Sequence, residues 1–236
     1  MASGFSNTSE REITPFQVSA ISGSTRLSRR GYNLLMGGLI FLGFVIVRVG
    51  ATIASSTGFL MAVLPYYLPV MIGSTIISIA GIFVLSAGMK REGLGLPLLG
   101  YAMVICSLGF TTGMVLPFYS LPSIVNAFVG TVLFTALFTL LGASFPQFFA
   151  RAIGIVSGLV LGLFLVMIIG FIAGIPMGWL DYVMLVLFAG FVGFDTYQAN
   201  QAEPTAKMAI FFALNIWLDL INVFMIILRI VGGRDN

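Results

Sequence analysis

Polar and charged residues in this chain fall in short clusters between long apolar runs, and the runs set the frame. Apolar stretches lie at 32–54, 66–88, 95–117, 121–142, 151–173, 180–201 and 206–231. Each is near the roughly 20 residues that carry a helix across a bilayer. The runs are continuous, not alternating over about ten residues, so a transmembrane barrel is excluded. The pattern predicts an all-α membrane protein with seven spans. The region 56–88 is too long for one crossing, and Pro65 and Pro69 bracket Tyr66 and Tyr67 early in it. A short interfacial stretch ahead of the second helix is expected there.

Domain limits follow. Residues 1–31 read as a polar, basic tail, 32–231 as the transmembrane domain and 232–236 as a short C-terminal tail. No apolar core lies within the first 30 residues, so they are expected to be a retained tail. Lys and Arg set the orientation. Arg11, Arg26, Arg29, Arg30, Lys90, Arg91, Arg151 and Lys207 share one side, against Arg48, Arg229 and Arg234 on the other. The N-terminus is therefore expected in the cytoplasm. A bacterial plasma (inner) membrane is the expected location, with an endomembrane as the alternative.

Composition narrows the chemistry. Hydrophobic residues make up 59% of the chain and charged residues 8%, too few charges to cover a water-soluble surface. Histidine is absent, which excludes zinc–histidine sites and Ser/His or Cys/His catalytic pairs. The lone Cys106 reads as a small packing residue. A net charge of +3, spread along the chain, gives no reason to expect nucleic acid. The lipid bilayer is the expected partner.

Two acids fall well inside spans, Asp195 in GFDTYQANQ and Asp219 in ALNIWLDLINVF. An unpaired charge at such depth costs at least about 3 kcal/mol and marks ion or proton paths. Asn215, Asp219 and Asn222 share one helical face. Asp195 lies about 15 Å and Asp219 about 21 Å from the centre of the hairpin between them, an offset that a tilt or an uneven turn can absorb. In contact, two such carboxyls share one proton, because both cannot ionise cheaply in a low dielectric. Asp181 reads as a helix cap, Arg229 as an interfacial anchor. Thr131, Thr135 and Thr139 form a hydroxyl stripe that either lines an ion path or bonds its own backbone. Gly154, Gly158 and Gly162, with Gly170 and Gly174, form a small-residue seam, expected to be a static contact between helices of the chain.

Four readings fit an intramembrane acid pair: a cation leak, a proton-coupled transporter, an aspartyl protease or a non-conducting interaction protein. The protease reading expects Tyr-Asp and Gly-x-Gly-Asp, whereas Phe194 precedes Asp195 and WLDL surrounds Asp219. The transporter reading expects internal repeats, and none is convincing. A retinal pump needs a lysine within its last helix, and Lys207 lies only at its mouth. No enzymatic activity is expected.

The run FDTYQANQ followed by ALNIWLDLINVFMIILRIVGG resembles the signature hairpin of the transmembrane Bax inhibitor motif family. Leu218, Asp219, Ile221, Asn222, Phe224, Leu228, Arg229 and Gly232 fit its last-helix pattern, with Trp217 where Tyr is usual. Met89, Lys90, Gly100, Tyr101 and GFTTGMVLP are also similar to it. The resemblance implies seven helices with the last at the centre of the other six, and a pH-sensitive Ca²⁺ leak gated by Asp195 and Asp219. These two carboxylates would also meet the passing Ca²⁺, with no resident cofactor. It implies a basic latch after the second helix, Lys90 or Arg91. Asn215, Asn222, Thr131 and Thr135 are the expected path-lining residues. No acidic residue lies between Glu12 and Glu92, so no second-helix carboxylate is present to sharpen Ca²⁺ selectivity.

Overall fold

In a computed structural model, residues 26–173 and 178–232 are described. The expectations for the first 25 residues, for Gly174 and for residues 233–236 lie outside them. Among the described residues every regular element is a helix, without strands, and seven helices are long and apolar enough to cross a membrane. These are α1 (Arg29–Ala54), α3 (Tyr67–Met89), α4 (Gly95–Val115), α5 (Leu121–Ser144), α6 (Pro146–Ile172), α7 (Trp179–Gln201) and α8 (Ala206–Gly232); a short α2 (Thr57–Val63) sits between the first two. The interfacial stretch ahead of the second span is α2 followed by a 3-10 turn at Leu64–Tyr66, with Tyr66 and Tyr67 exposed.

Local chemistry sets the boundaries. Ser28 and Ser120 accept from the amides of Gly31 and Ser123 and so cap α1 and α5. The α3–α4 turn contains Gly93 at φ 86°, a left-handed conformation that glycine adopts without a Cβ penalty. α6 begins five residues before Arg151, the expected start. Pro146 fits a first helical turn, and the arginine stays within a helix that has already begun.

The helices surround α8, which is buried along most of its length, whereas α6 is buried along little of its own. α8 packs against α1, α4, α5 and α7; α3 rests on α4, and α6 mainly on α7. The last helix is therefore central to four neighbours, not six. Trp217 is fully buried and fills the space beside Gly43 of α1. Large apolar side chains such as Phe41, Phe83, Leu133 and Leu161 face outward, as lipid contact requires.

Close helix approach uses other glycines than the expected ones. A Cβ on Gly100 of α4 would lie 2.4 Å from the Leu85 amide of α3, and one on Gly142 of α5 only 2.1 Å from the Gly193 carbonyl of α7. Gly154, Gly158 and Gly162 are exposed, with nothing within 4 Å of the Cβ positions. These three glycines of the predicted static seam thus make no contact between helices of this chain, whereas Gly170, near the other end of α6, is buried. Spacing permits close approach but does not say which glycine face meets a neighbour. Cys106 is likewise exposed, not a packing residue.

Candidate functional site: a carboxyl pair between the last two helices

Asp195 comes from the last two turns of α7 and Asp219 from the middle of α8. The two helices pack as an antiparallel hairpin, and it brings the carboxyls within hydrogen-bonding reach of each other. Asp219 is buried and Asp195 partly accessible. Oδ2 of Asp219 receives no proton from any N–H or hydroxyl. Two ionised carboxylates can only accept, so a hydrogen bond between them would need a proton on one.

Several of the surrounding ionisable groups are turned to other partners and others face outward; Tyr197 stays beside the pair. Among the described residues α5 contributes none. From α1, the Tyr32 hydroxyl donates to the Ala199 carbonyl at 3.0 Å, and Arg29 donates to the Ala202 carbonyl at 3.1 Å. Arg30 and Arg48 are exposed. From α4, the Tyr101 hydroxyl donates to the Leu39 carbonyl, and Cys106 faces outward. On α7, Tyr182 is exposed and Tyr197 half-buried, two residues from Asp195. On α8, Lys207 is 1% exposed and its ammonium donates to the Arg91 carbonyl. Arg229 meets Asp181 at the opposite end of the hairpin, 2.6 Å from Nη2 to Oδ1.

The other candidates divide. Lys90 and Arg91 are exposed at the α3–α4 turn, and neither side chain forms an ion pair with the aspartates in this structure. Arg91 contributes its carbonyl instead, to Lys207. Asn215 is half-buried; Asn222 is exposed and donates to the Leu218 carbonyl at 2.8 Å. Thr131 is buried, with its hydroxyl returned to the Ala127 carbonyl at 2.8 Å. Of the two readings of the threonine stripe, this residue follows the self-bonded one. The Thr135 hydroxyl is different: it is buried without a hydrogen-bond partner.

Sequence reading missed one pairing, Asp181 with Arg229, and the roles of Tyr32 and Lys207. Asp181 and Arg229 form a two-pronged ion pair, with Nε 3.1 and 3.2 Å from the two carboxylate oxygens, instead of serving separately as cap and anchor. The signal was available, because an acid in the first turn of one hairpin helix and a base in the last turn of the next must share a membrane face. Tyr32 and Lys207 carry no such signal. Their partners are backbone carbonyls, which any residue supplies.

A family model described as inhibitor of apoptosis-promoting Bax1 matches residues 25–236. The chain belongs to this Bax inhibitor family. No curated protein matches the chain. The family match takes in all eight helices, although the local resemblance is concentrated in the α7–α8 hairpin. Membership makes this an integral membrane protein of a transmembrane family, in agreement with the seven apolar helices.

Proposed function

We propose that the chain is a passive, pH-sensitive path for cations, Ca²⁺ foremost, gated by Asp195 and Asp219. The observation that carries this reading is the carboxyl–carboxyl contact inside the helix bundle, with Asp219 Oδ2 lacking any other donor. In the closed state the pair shares a proton and holds α7 against α8. Loss of that proton leaves two like charges in a poorly solvated place, and their repulsion parts the helices. One of Lys90 and Arg91 then captures the ionised pair. The opened path takes in Asn215, Asn222 and Thr135, whose buried, unpartnered hydroxyl supports a wetted route.

Ca²⁺ is the cargo, and the reading needs neither a resident cofactor nor catalysis. The Lys/Arg asymmetry supports a cytoplasmic N-terminus, and a bacterial plasma membrane is the location we assign. The test is Ca²⁺ entry into dye-loaded proteoliposomes without any imposed proton gradient. Entry down the Ca²⁺ gradient that persists after protonophore addition fits the leak. Entry that requires a proton gradient identifies a coupled transporter, and no entry leaves an interaction protein.

A further inference from the structure

The two aspartates lie at unequal heights on their helices. Asp195 is six residues from the end of α7, about 9 Å, while Asp219 is thirteen residues from the start of α8, about 20 Å. For the carboxyls to meet, α8 must project about 10 Å beyond the end of α7. Residues 202–205 span that gap, beginning with Ala202 in extended backbone.

The projecting end of α8 is covered. Thr205, Ala206, Lys207, Met208, Ala209 and Ile210 are all buried. The cover on one side is the segment Arg26–Tyr32. Arg26 forms an isolated antiparallel bridge with Thr205, and the Leu27 amide donates to the Pro204 carbonyl at 2.7 Å. Arg29 donates to the Ala202 carbonyl at 3.1 Å and Tyr32 to the Ala199 carbonyl at 3.0 Å. Arg29 also sits over the Tyr32 ring, 5.5 Å from its centroid. Carbonyls left free where α7 ends are thus met by side chains of α1, and the cation stands where the helix dipole favours one.

We propose that Arg26–Tyr32 is a strap, and that Arg29 and Tyr32 are positioning residues which fix the height of α8 against α7 and so the alignment of Asp219 with Asp195. The proposal rests on the reading that this pair gates ion flow. Neither strap residue touches the carboxyls. Each acts through the carbonyls of residues 199–204. A slip of one helical turn, about 5.4 Å, separates the acids. The ionisable groups on the helices packed about the pair include Tyr197 on α7, Tyr32 and Arg29 on α1, Tyr101 on α4 and Lys207 on α8; all but Tyr197 are committed to carbonyls.

The experiment uses full-length protein in lipid nanodiscs and proteoliposomes: wild type, Tyr32→Phe, Arg29→Gln, Arg29→Lys and the Tyr32→Phe/Arg29→Gln double variant. Three quantities are read: amide hydrogen exchange across 199–207, the infrared carbonyl band of protonated carboxyl groups against pH, and the pH profile of Ca²⁺ flux. The double variant is expected to exchange about fivefold faster or more in that segment, as loss of a hydrogen bond's net contribution implies. Its carboxyl band should titrate over a different pH range, and its flux profile should flatten. Arg29→Lys, which keeps a donor for Ala202, should restore most of the wild-type profile. Tyr32→Phe, the mildest change, guards against a folding failure of the double variant and should shift the same quantities in the same direction. Faster exchange with unchanged band and flux profiles would reduce the strap to a purely structural contact and overturn the proposal. Altered band and exchange in a protein whose wild type passes no Ca²⁺ would sustain the strap and remove the leak.

Discussion

Adding one methyl group at Gly142 should destabilise the bundle, and adding the same methyl at Gly158 should not. A Cβ on Gly142 would stand 2.1 Å from the Gly193 carbonyl oxygen and 2.7 Å from its carbon. Non-bonded carbon contacts settle near 3.5 Å or beyond. Backbone cannot swing aside as a side-chain tip can, so α5 and α7 must part by about an ångström. Overpacking of this kind costs about 1–3 kcal/mol. Part is offset because alanine is the better helix former by about 1 kcal/mol. A net loss of up to about 2 kcal/mol should lower the melting temperature by up to roughly 8 °C for a domain of this size. Gly158 has nothing within 4 Å, so Gly158→Ala keeps the helix-forming gain without the clash. Thermal unfolding of both purified variants in one detergent, followed by circular dichroism, measures the difference. A Gly158→Ala protein that melts below Gly142→Ala would refute the packing of α5 on α7 and the openness of the α6 face.

Other consequences follow from single contacts. Asp181→Asn and Arg229→Gln, combined in a double-mutant cycle, should show a coupling of about 1 kcal/mol, because Arg229 is 39% exposed and water screens the pair; a coupling near zero in thermal unfolding would mean that the ends of α7 and α8 are not tied. Thr135→Val replaces a buried, unpartnered hydroxyl with a methyl of the same shape. It should leave stability unchanged or raise it by about 1 kcal/mol while lowering Ca²⁺ flux, and a variant that conducts normally would take Thr135 out of the path. The chain holds two lysines, and an amine-reactive label on folded protein should modify Lys90 and spare Lys207, which is 1% exposed. Equal labelling in peptide mapping would contradict the burial of α8's first turn.

The seven spans were legible because the bilayer imposes a length on each apolar run, and six of their starts and ends differ little from the helices observed. The exception, the start of α6, shows the weakness of treating a charge as a boundary: Arg151 lies within the second turn, not before the first. The carboxyl pair was legible for a similar reason, since two acids in apolar spans have few places to go. Its geometry was only half visible. Nothing in the residue pattern announces that α7 ends on an extended Ala202 and that residues 202–205 carry the chain on to the start of α8, which is what allows the unequal heights of Asp195 and Asp219 to be reconciled. Gly154, Gly158 and Gly162 were misread as a contact because periodic spacing belongs to one helix and close approach to two. Gly142 has no partner at four-residue spacing that would have singled it out, yet it meets Gly193. Tyr32, Arg29 and Lys207 were missed because they bind carbonyls, and a carbonyl has no identity in a sequence.

The central claim is that Asp195 and Asp219 gate the path through a shared proton. Two unit charges about 4 Å apart repel by about 4 kcal/mol at an effective dielectric of 20, roughly a thousandfold in an opening equilibrium. The most direct measurement is Ca²⁺ flux into dye-loaded proteoliposomes from pH 5 to pH 8, for wild type beside Asp195→Asn and Asp219→Asn. The sign follows from the repulsion: at low pH the pair keeps its proton and stays closed, and as pH rises the proton leaves and flux increases. Either asparagine removes one charge and with it the repulsion, so both variants should show flux independent of pH. Wild-type flux that falls as pH rises, or pH dependence intact in both variants, would contradict the account.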